Sequence, residues 1–136
     1  MTSGSKSASL AGLFAALADT TRLRLLNLMS GREVCVCYFV EILRQGQPKV
    51  SRHLAYLRKA GIVEARREGK WMHYRIVPQA DEASASILAA VLGSMDSDRQ
   101  MQADLAKLER TCCAPQKLVM TEGAPRPAPV APLDLR

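Results

Sequence analysis

Four cysteines in two close pairs are the residues of this chain best suited to chemistry. Cys35 and Cys37 are separated by one residue, and Cys112 and Cys113 are adjacent. Thiolates are soft ligands that suit trivalent arsenic and antimony, best held by three sulfurs, and also cadmium, lead and zinc. Two close pairs favour metal binding or thiol chemistry over a disulfide scaffold. All four cysteines are therefore candidate ligands.

The one-residue spacing of Cys35 and Cys37 constrains the backbone between them. On a regular helix these positions lie on nearly opposite faces, so the sulfurs converge only in an extended segment or an irregular first helical turn. The alternative is a pair of small buried hydrophobic residues. For Cys112 and Cys113, the open roles are a third thiolate for the first pair, a separate weaker site, a redox-active pair, or exposed residues without a role.

The other residue types do not form a catalytic pattern. The chain has two histidines, His53 and His73, and shows no Ser/His/Asp order, no glycine-rich phosphate loop and no paired acids around a histidine. A small thiol reductase is disfavoured because an acid/base partner for the cysteines is missing. The sequence predicts neither an enzyme nor an organic cofactor.

Basic residues are concentrated between residues 44 and 75. This segment contains nine Lys and Arg but only two acids, and so carries essentially all of the net charge of +6. A basic face on a small domain is typical of a protein that binds a polyanion. A solvated basic surface is the alternative.

Within this segment, QPKVSRHLAYLRKA (residues 47–60) predicts an amphipathic helix over Pro48–Ala60. Val50, Leu54 and Leu57 form its apolar stripe, and Gly61 suits the position just past its end. The remaining surface is basic and polar and suits the DNA major groove. We expect base-edge contacts from Ser51 and His53. Phosphate contacts are expected from Gln47, Lys49, Arg52, Tyr56 and Arg58.

The helix is followed by two alternating runs within residues 63–76, joined by Glu68-Gly69-Lys70. This pattern predicts a β-hairpin. The residues near its tip that we expect to lie along the DNA backbone or minor groove are Arg66, Arg67 and Lys70.

The remaining patterns are helical or irregular. Apolar stripes predict helices near residues 10–17 and 20–29, and one helix or two over 82–110 with a weak point at Gly93 and Asp96–Asp98. VCVCYFVEIL (34–43) is ambiguous between strand and helix, and a tight turn is expected at 44–47. We predict a disordered segment (1–8), one domain (9–110), and a flexible Cys-Cys segment with a proline-rich tail (111–136).

This order predicts a mainly α fold with a β-hairpin wing, a winged helix-turn-helix that works as a homodimer. The first and last helices are not needed to build the DNA-reading part. Their apolar stripes are the predicted dimer interface: Leu10, Leu13, Phe14, Leu17, Ile87, Leu88, Val91 and Leu92.

Residues 10–108 resemble the ArsR/SmtB family of metalloregulatory repressors. LFAALADTTRLRLLNLM is similar to the family's opening helices, and QPKVSRHLAYLRKAGIVEARREGKWMHYRI to its recognition helix and wing. EVCVC lies where arsenic- and cadmium-responsive members keep metal-binding cysteines, at the start of the third helix. Arsenic-responsive members often have C-x-C-x-x-C there, and the third position is Val40 in this chain. The family's zinc site on the last helix needs histidines that this helix lacks.

The resemblance implies a homodimeric repressor that binds double-stranded operator DNA and is released by an inducer. We expect As(III) or Sb(III) as the inducer; a Cd(II)-, Pb(II)- or Zn(II)-responsive or thiol-redox-responsive repressor is the alternative. Because the chain has no secretory-type start and no apolar run near the ~20 residues that span a bilayer, we expect a cytoplasmic protein with no membrane partner.

Overall fold

The computed structural model describes the backbone of residues 6–113 and 130–132 and the side chains of residues 9–111. Its elements in chain order are α1 (Lys6–Leu17), α2 (Thr20–Met29), β1 (Arg32–Cys35), α3 (Val36–Leu43), α4 (Gln47–Lys59), β2 (Val63–Glu68), β3 (Trp71–Ile76), α5 (Glu82–Ser94), a 3-10 turn (Met95–Ser97), α6 (Arg99–Cys113) and β4 (Val130–Pro132).

The ambiguous segment 34–43 contains a change from strand to helix. Val34 is fully buried in β1, and Cys35 keeps an extended backbone (φ −74°, ψ 144°) as the residue that caps α3. Helical geometry begins at Val36, so neither a pure strand nor a pure helix describes this segment.

A short turn joins α3 to α4. Arg44 adopts a left-handed conformation (φ 57°), and its backbone N–H donates to the Val40 carbonyl at 3.0 Å. Gly46 precedes α4, and Pro48 lies in its first turn, where its missing N–H has no intrahelical partner to lose. The predicted apolar stripe of α4 is fully buried: Val50, Leu54 and Leu57.

The four strands form one antiparallel sheet in the order β2-β3-β1-β4. β2 and β3 pair from Val63↔Ile76 to Glu68↔Trp71, and Gly69 supplies the positive φ (63°) of the connecting turn. β1 lies beside β3 with Cys35 opposite His73. The wing is therefore continuous with the strand that leads into α3.

Helices extend into both end segments that the sequence predicted to be disordered or flexible. α1 begins at Lys6, inside the segment expected to be disordered, because no glycine or proline interrupts residues 6–11. α6 continues through Cys113 for the same reason, and the first proline after it is Pro115. Residues 1–5, 114–129 and 133–136 of the predicted flexible ends lie outside the described residues.

A short strand also occurs within the tail that was predicted to be flexible. β4 pairs antiparallel with β1, from Arg32↔Pro132 to Val34↔Val130. The outer edge of β1 offers backbone hydrogen-bonding groups, and β4 places its proline at the end of an edge strand, where a missing N–H is tolerated.

Polar contacts join α6 to α2. Asp104, which is fully buried, accepts two hydrogen bonds from Arg24, at 2.8 Å and 3.0 Å. The side-chain amide of Asn27, also buried, donates to the Met101 carbonyl at 3.0 Å. Of the helices in the described ranges, none has the length and apolar character that a membrane span requires.

Candidate DNA-binding surface and thiol site

The two sulfurs of the first cysteine pair lie together at the start of α3. The Cys37 thiol donates to Cys35 Sγ at 3.1 Å, with Cys35 fully buried and Cys37 half-buried. The sulfurs converge because Cys35 is extended and Cys37 is in the first helical turn, one of the two backbone arrangements that the spacing allows. A soft ion could contact both sulfurs with little rearrangement.

The strand register places a histidine beside this pair. His73 lies opposite Cys35, is buried, and has its Nε2 atom 3.3 Å from Glu68 Oε1 without the alignment of a hydrogen bond. Directly opposed residues of an antiparallel pair share one face of the sheet. The sequence pattern did not indicate this neighbour, because register between non-sequential strands is not visible in local periodicity.

Cys112 and Cys113 are the last two residues of α6, and their side chains lie outside those described. α6 packs against α2 and α3, the helix that begins after Cys35. Among the side chains of residues 9–111, the structure shows no group of three histidine, cysteine or acidic residues arranged as metal ligands.

The outward face of α4 is basic and open to solvent. The five residues predicted to contact phosphate are all exposed: Gln47, Lys49, Arg52, Tyr56 and Arg58. Ser51 is half-buried at the edge of this face. α4 therefore presents several basic and polar side chains to solvent.

The other predicted base-reading residue, His53, is turned toward α2. It comes three residues after Val50 and four before Leu57, so it flanks the buried stripe. Its side chain is 18% exposed, with Nδ1 3.4 Å from Arg22 Nη1 and 3.9 Å from Asp19 Oδ1. This placement fits support of α4 better than the base-edge contact that we predicted.

The three basic residues predicted near the tip of the wing differ in their contacts. Lys70 and Arg67 are exposed, and Arg67 donates to the Gly69 carbonyl at 3.3 Å. Arg66 instead reaches across β3 to Glu33, with an N–O distance of 2.6 Å, and also contacts Glu68 at 3.2 Å. The hydrogen bonds from Arg66 lower the pKa of Glu33, against the opposing effect of burial.

Some of the residues predicted to form the dimer interface are buried within the core of the chain itself. Leu13, Leu17 and Leu88 are buried in its core. Phe14 is 54% exposed and is, with Tyr56 at 45%, one of two large apolar side chains that are exposed in the described part of the chain. The rest are half-buried: Leu10, Ile87, Val91 and Leu92. Phe14 is thus the most exposed of the eight residues predicted to form the dimer interface.

Helices α2 to α4 followed by the β2–β3 hairpin define a winged helix-turn-helix, which is the predicted fold class. Residues 19–65 match the family model described as bacterial regulatory protein, arsR family. The homodimeric winged helix-turn-helix DNA-binding domain of Mb0332 from Mycobacterium bovis aligns with 32% identity and a TM-score of 0.55, covering 71% of this chain and 91% of that one. The Mb0332 domain is described as a possible ArsR-family regulator, and with the family match it shows that the chain belongs to the ArsR family, as the sequence resemblance predicted.

Two relatives are named for arsenic resistance. The arsenical resistance operon repressor of Escherichia coli K12 is 48% identical over 77 residues, which are 56% of this chain and 66% of that protein. The arsenic resistance regulator ArsR1 of Pseudomonas putida KT2440 is 43% identical over 81 residues, 59% of this chain and 63% of that protein. The chain thus spans slightly less than two thirds of their lengths. Family and fold are those of DNA-binding transcriptional regulators, not of enzymes.

Proposed function

We propose that this protein is a cytoplasmic, homodimeric repressor that binds operator DNA and releases it when As(III) or Sb(III) binds to cysteine thiolates. The observation that carries the proposal is the 3.1 Å approach of the Cys35 and Cys37 sulfurs at the first turn of α3. Similarity to two regulators named for arsenic resistance supports the choice of ligand.

The DNA-binding part of the proposal rests on exposure and charge. α4 is seated on the core by its apolar stripe and exposes Lys49, Arg52 and Arg58 on the other side. Arg67 and Lys70 extend the basic surface along the wing. We propose that the wing and α4 hold phosphates while Ser51, at the edge of the exposed face, contacts base edges. Several phosphate contacts imply a steep loss of affinity with salt.

The ligand set needs a third sulfur. Trivalent arsenic binds best to three thiolates, and the position where the family often has its third cysteine is Val40 here. We propose that Cys112 or Cys113 completes the set, from the same chain or from the partner of the dimer. The end of α6 is a reasonable source because α6 packs against α3.

Release of DNA follows from where the thiols lie. When the two sulfurs and a third sulfur from α6 bind one As(III) or Sb(III) ion, they fix the extended backbone at Cys35, the residue that caps α3. α3 packs against α4 through the short turn at 44–46. A small rotation of α4 in each half of a dimer changes the distance between the two recognition helices, and half-site spacing on DNA is fixed. The affinity for operator DNA therefore falls.

One titration tests the proposal. Full-length reduced protein bound to DNA from upstream of its own gene is titrated separately with arsenite, antimonite, Cd(II), Pb(II), Zn(II) and peroxide, and release is followed by fluorescence anisotropy. We expect release by arsenite and antimonite at two equivalents per dimer. Release only by Cd(II), Pb(II) or Zn(II) would identify the divalent alternative, and release only by peroxide the redox alternative.

Cysteine variants assign the ligands. Cys35→Ser and Cys37→Ser should bind DNA like the parent but fail to respond to arsenite. The double variant Cys112→Ser/Cys113→Ser should lose at least part of the response, while Thr111→Ser, at the same helix end, should not. A double variant with the parent's stoichiometry and affinity for arsenite would show that the third ligand comes from elsewhere.

A further inference from the structure

The side chain of Arg22 lies at the junction of three helices. It extends from α2, where Asp19 accepts a hydrogen bond from the Arg22 backbone N–H at 3.0 Å. Its Nε donates to the Ala16 carbonyl at 2.8 Å, and its Nη2 to the Ala15 carbonyl at 3.0 Å. Both carbonyls belong to the last turn of α1, where backbone acceptors lack intrahelical partners and a cation is favoured by the helix dipole.

The same guanidinium contacts the recognition helix. Its Cζ atom lies 4.1 Å from the centroid of the Tyr56 ring, within the range of a cation–π contact. Its Nη1 lies 3.4 Å from His53 Nδ1. Tyr56 and His53 are three residues apart and therefore share one side of α4. Arg22 thus joins the end of α1 to one side of α4.

The chemistry of this junction requires arginine. A planar guanidinium can donate two hydrogen bonds in one direction while stacking its face on an aromatic ring, and a lysine ammonium cannot do both. The Arg22 side chain is only 12% exposed, so it is largely unavailable for contact with phosphate. It differs in this from the exposed arginines of α4.

We propose that Arg22 is a positioning residue that sets the orientation of α4 relative to α1, and thereby the distance between the two recognition helices of the dimer. The proposal rests on the proposed function, in which α4 reads DNA in a homodimer, and on the predicted dimer interface, to which α1 contributes. It adds a determinant of specificity that touches no base. The operator would then be recognised partly through the spacing of its half-sites.

The test compares Arg22→Lys with the parent on three DNAs: operator, operator with one base pair inserted between half-sites, and random sequence. Arg22→Lys should lower operator affinity about tenfold or more, leave random-DNA affinity and its salt slope unchanged, and reduce the penalty for the altered spacing. Arg110→Lys, an exposed substitution in the last turn of α6, is the control and should match the parent on all three DNAs.

Other outcomes separate the alternatives. An equal loss on operator and random DNA with a flatter salt slope would mean that Arg22 contacts phosphate, and would overturn the inference. A lower melting temperature with unchanged discrimination and spacing preference would mean that Arg22 only stabilises the fold, which also overturns it. If the parent itself does not distinguish operator from random DNA, the proposed function fails, and not only the role of Arg22.

Tyr56 supplies an independent check. Tyr56→Phe keeps the ring, and Tyr56→Leu removes it. Spacing preference should persist in the first variant and weaken in the second, and Tyr56→Leu should add little in the Arg22→Lys background because the two changes disrupt one contact. Additive effects in this double-mutant cycle would show that the ring and the guanidinium act separately.

Discussion

Replacing Asp104 by alanine should destabilise the protein more than any exposed change on α6. Asp104 is fully buried and accepts hydrogen bonds from Arg24 at 2.8 Å and 3.0 Å and from Gln100 at 3.0 Å. Removing one partner of a buried ion pair costs about 3–5 kcal/mol. Because the Arg24 side chain is 17% exposed, it can regain some water, so we expect a loss of about 2–3 kcal/mol.

Urea or thermal unfolding at one fixed protein concentration measures this loss, since dimerisation makes stability depend on concentration. A loss of about 2–3 kcal/mol corresponds to a melting temperature lower by roughly 10 °C for a folded part of this size. Glu109→Ala, exposed on the same helix, is the matched control and should change stability by less than about 0.5 kcal/mol. Arg24→Met/Asp104→Leu, which removes both charges, should recover much of the loss. Equal stability of Asp104→Ala and the control would refute the view that this pair holds α6 against α2.

Three further predictions concern the surfaces. Alanine at all three wing positions (Arg66, Arg67, Lys70) should weaken binding to every DNA sequence. Over the two wings of the dimer it should flatten the salt slope by about 3.6 rather than the full ~5.4 for six phosphate contacts, because Arg66 of each chain is already paired with Glu33. An unchanged affinity at low salt would make the wing purely structural. Phe14→Ser should weaken the dimer roughly 30- to 150-fold, because about 2–3 kcal/mol of apolar burial is lost over the two copies, while the core of each chain is unaffected. Sedimentation measures the dissociation constant. A parent protein that is monomeric at micromolar concentration would contradict the prediction. Glu33→Gln should remove a contribution to folding stability of less than about 1 kcal/mol. In the parent this contribution is present above the ordinary pKa of glutamate and is lost as the pH falls through the lowered pKa of Glu33. Parallel acid-unfolding curves for the parent and the variant would show that the ion pair contributes nothing.

Local sequence patterns were sufficient for the parts of this fold that depend on short-range periodicity. Val50, Leu54 and Leu57 identified the face of α4 that is buried, because a helix repeats every 3.6 residues whatever it packs against. The hairpin was equally visible, since Gly69 lies between two alternating runs. The place where a strand ends and a helix begins, at Cys35, was left ambiguous because VCVCYFVEIL is apolar throughout.

Contacts between distant parts of the chain were not visible in the same way. The residues next to Arg22 in the sequence do not distinguish it from other helix arginines. Its contacts depend on where the end of α1 lies relative to α4. The pairing of Arg66 with Glu33 depends on strand order. The apolar stripe of α1 shows most clearly what local patterns cannot predict. Leu13 and Phe14 are both large apolar members of this stripe, yet Leu13 is buried in the chain's own core and Phe14 is 54% exposed.

The thiol pair is connected to the DNA-binding surface by two routes of unequal strength. One runs from Cys35 through β1 to Glu33 and then to Arg66 on the wing. Arg66 is 51% exposed, so solvent screens this ion pair and its contribution is small. The other runs through α3, whose buried residues pack in the same core as the apolar stripe of α4. Coupling between an inducer and DNA is typically about 1–3 kcal/mol, which exceeds what the wing route can supply. In the proposed mechanism, the packed α3–α4 route, with α4 held to α1 by Arg22, therefore carries most of the response, and the Glu33–Arg66 pair only adjusts it.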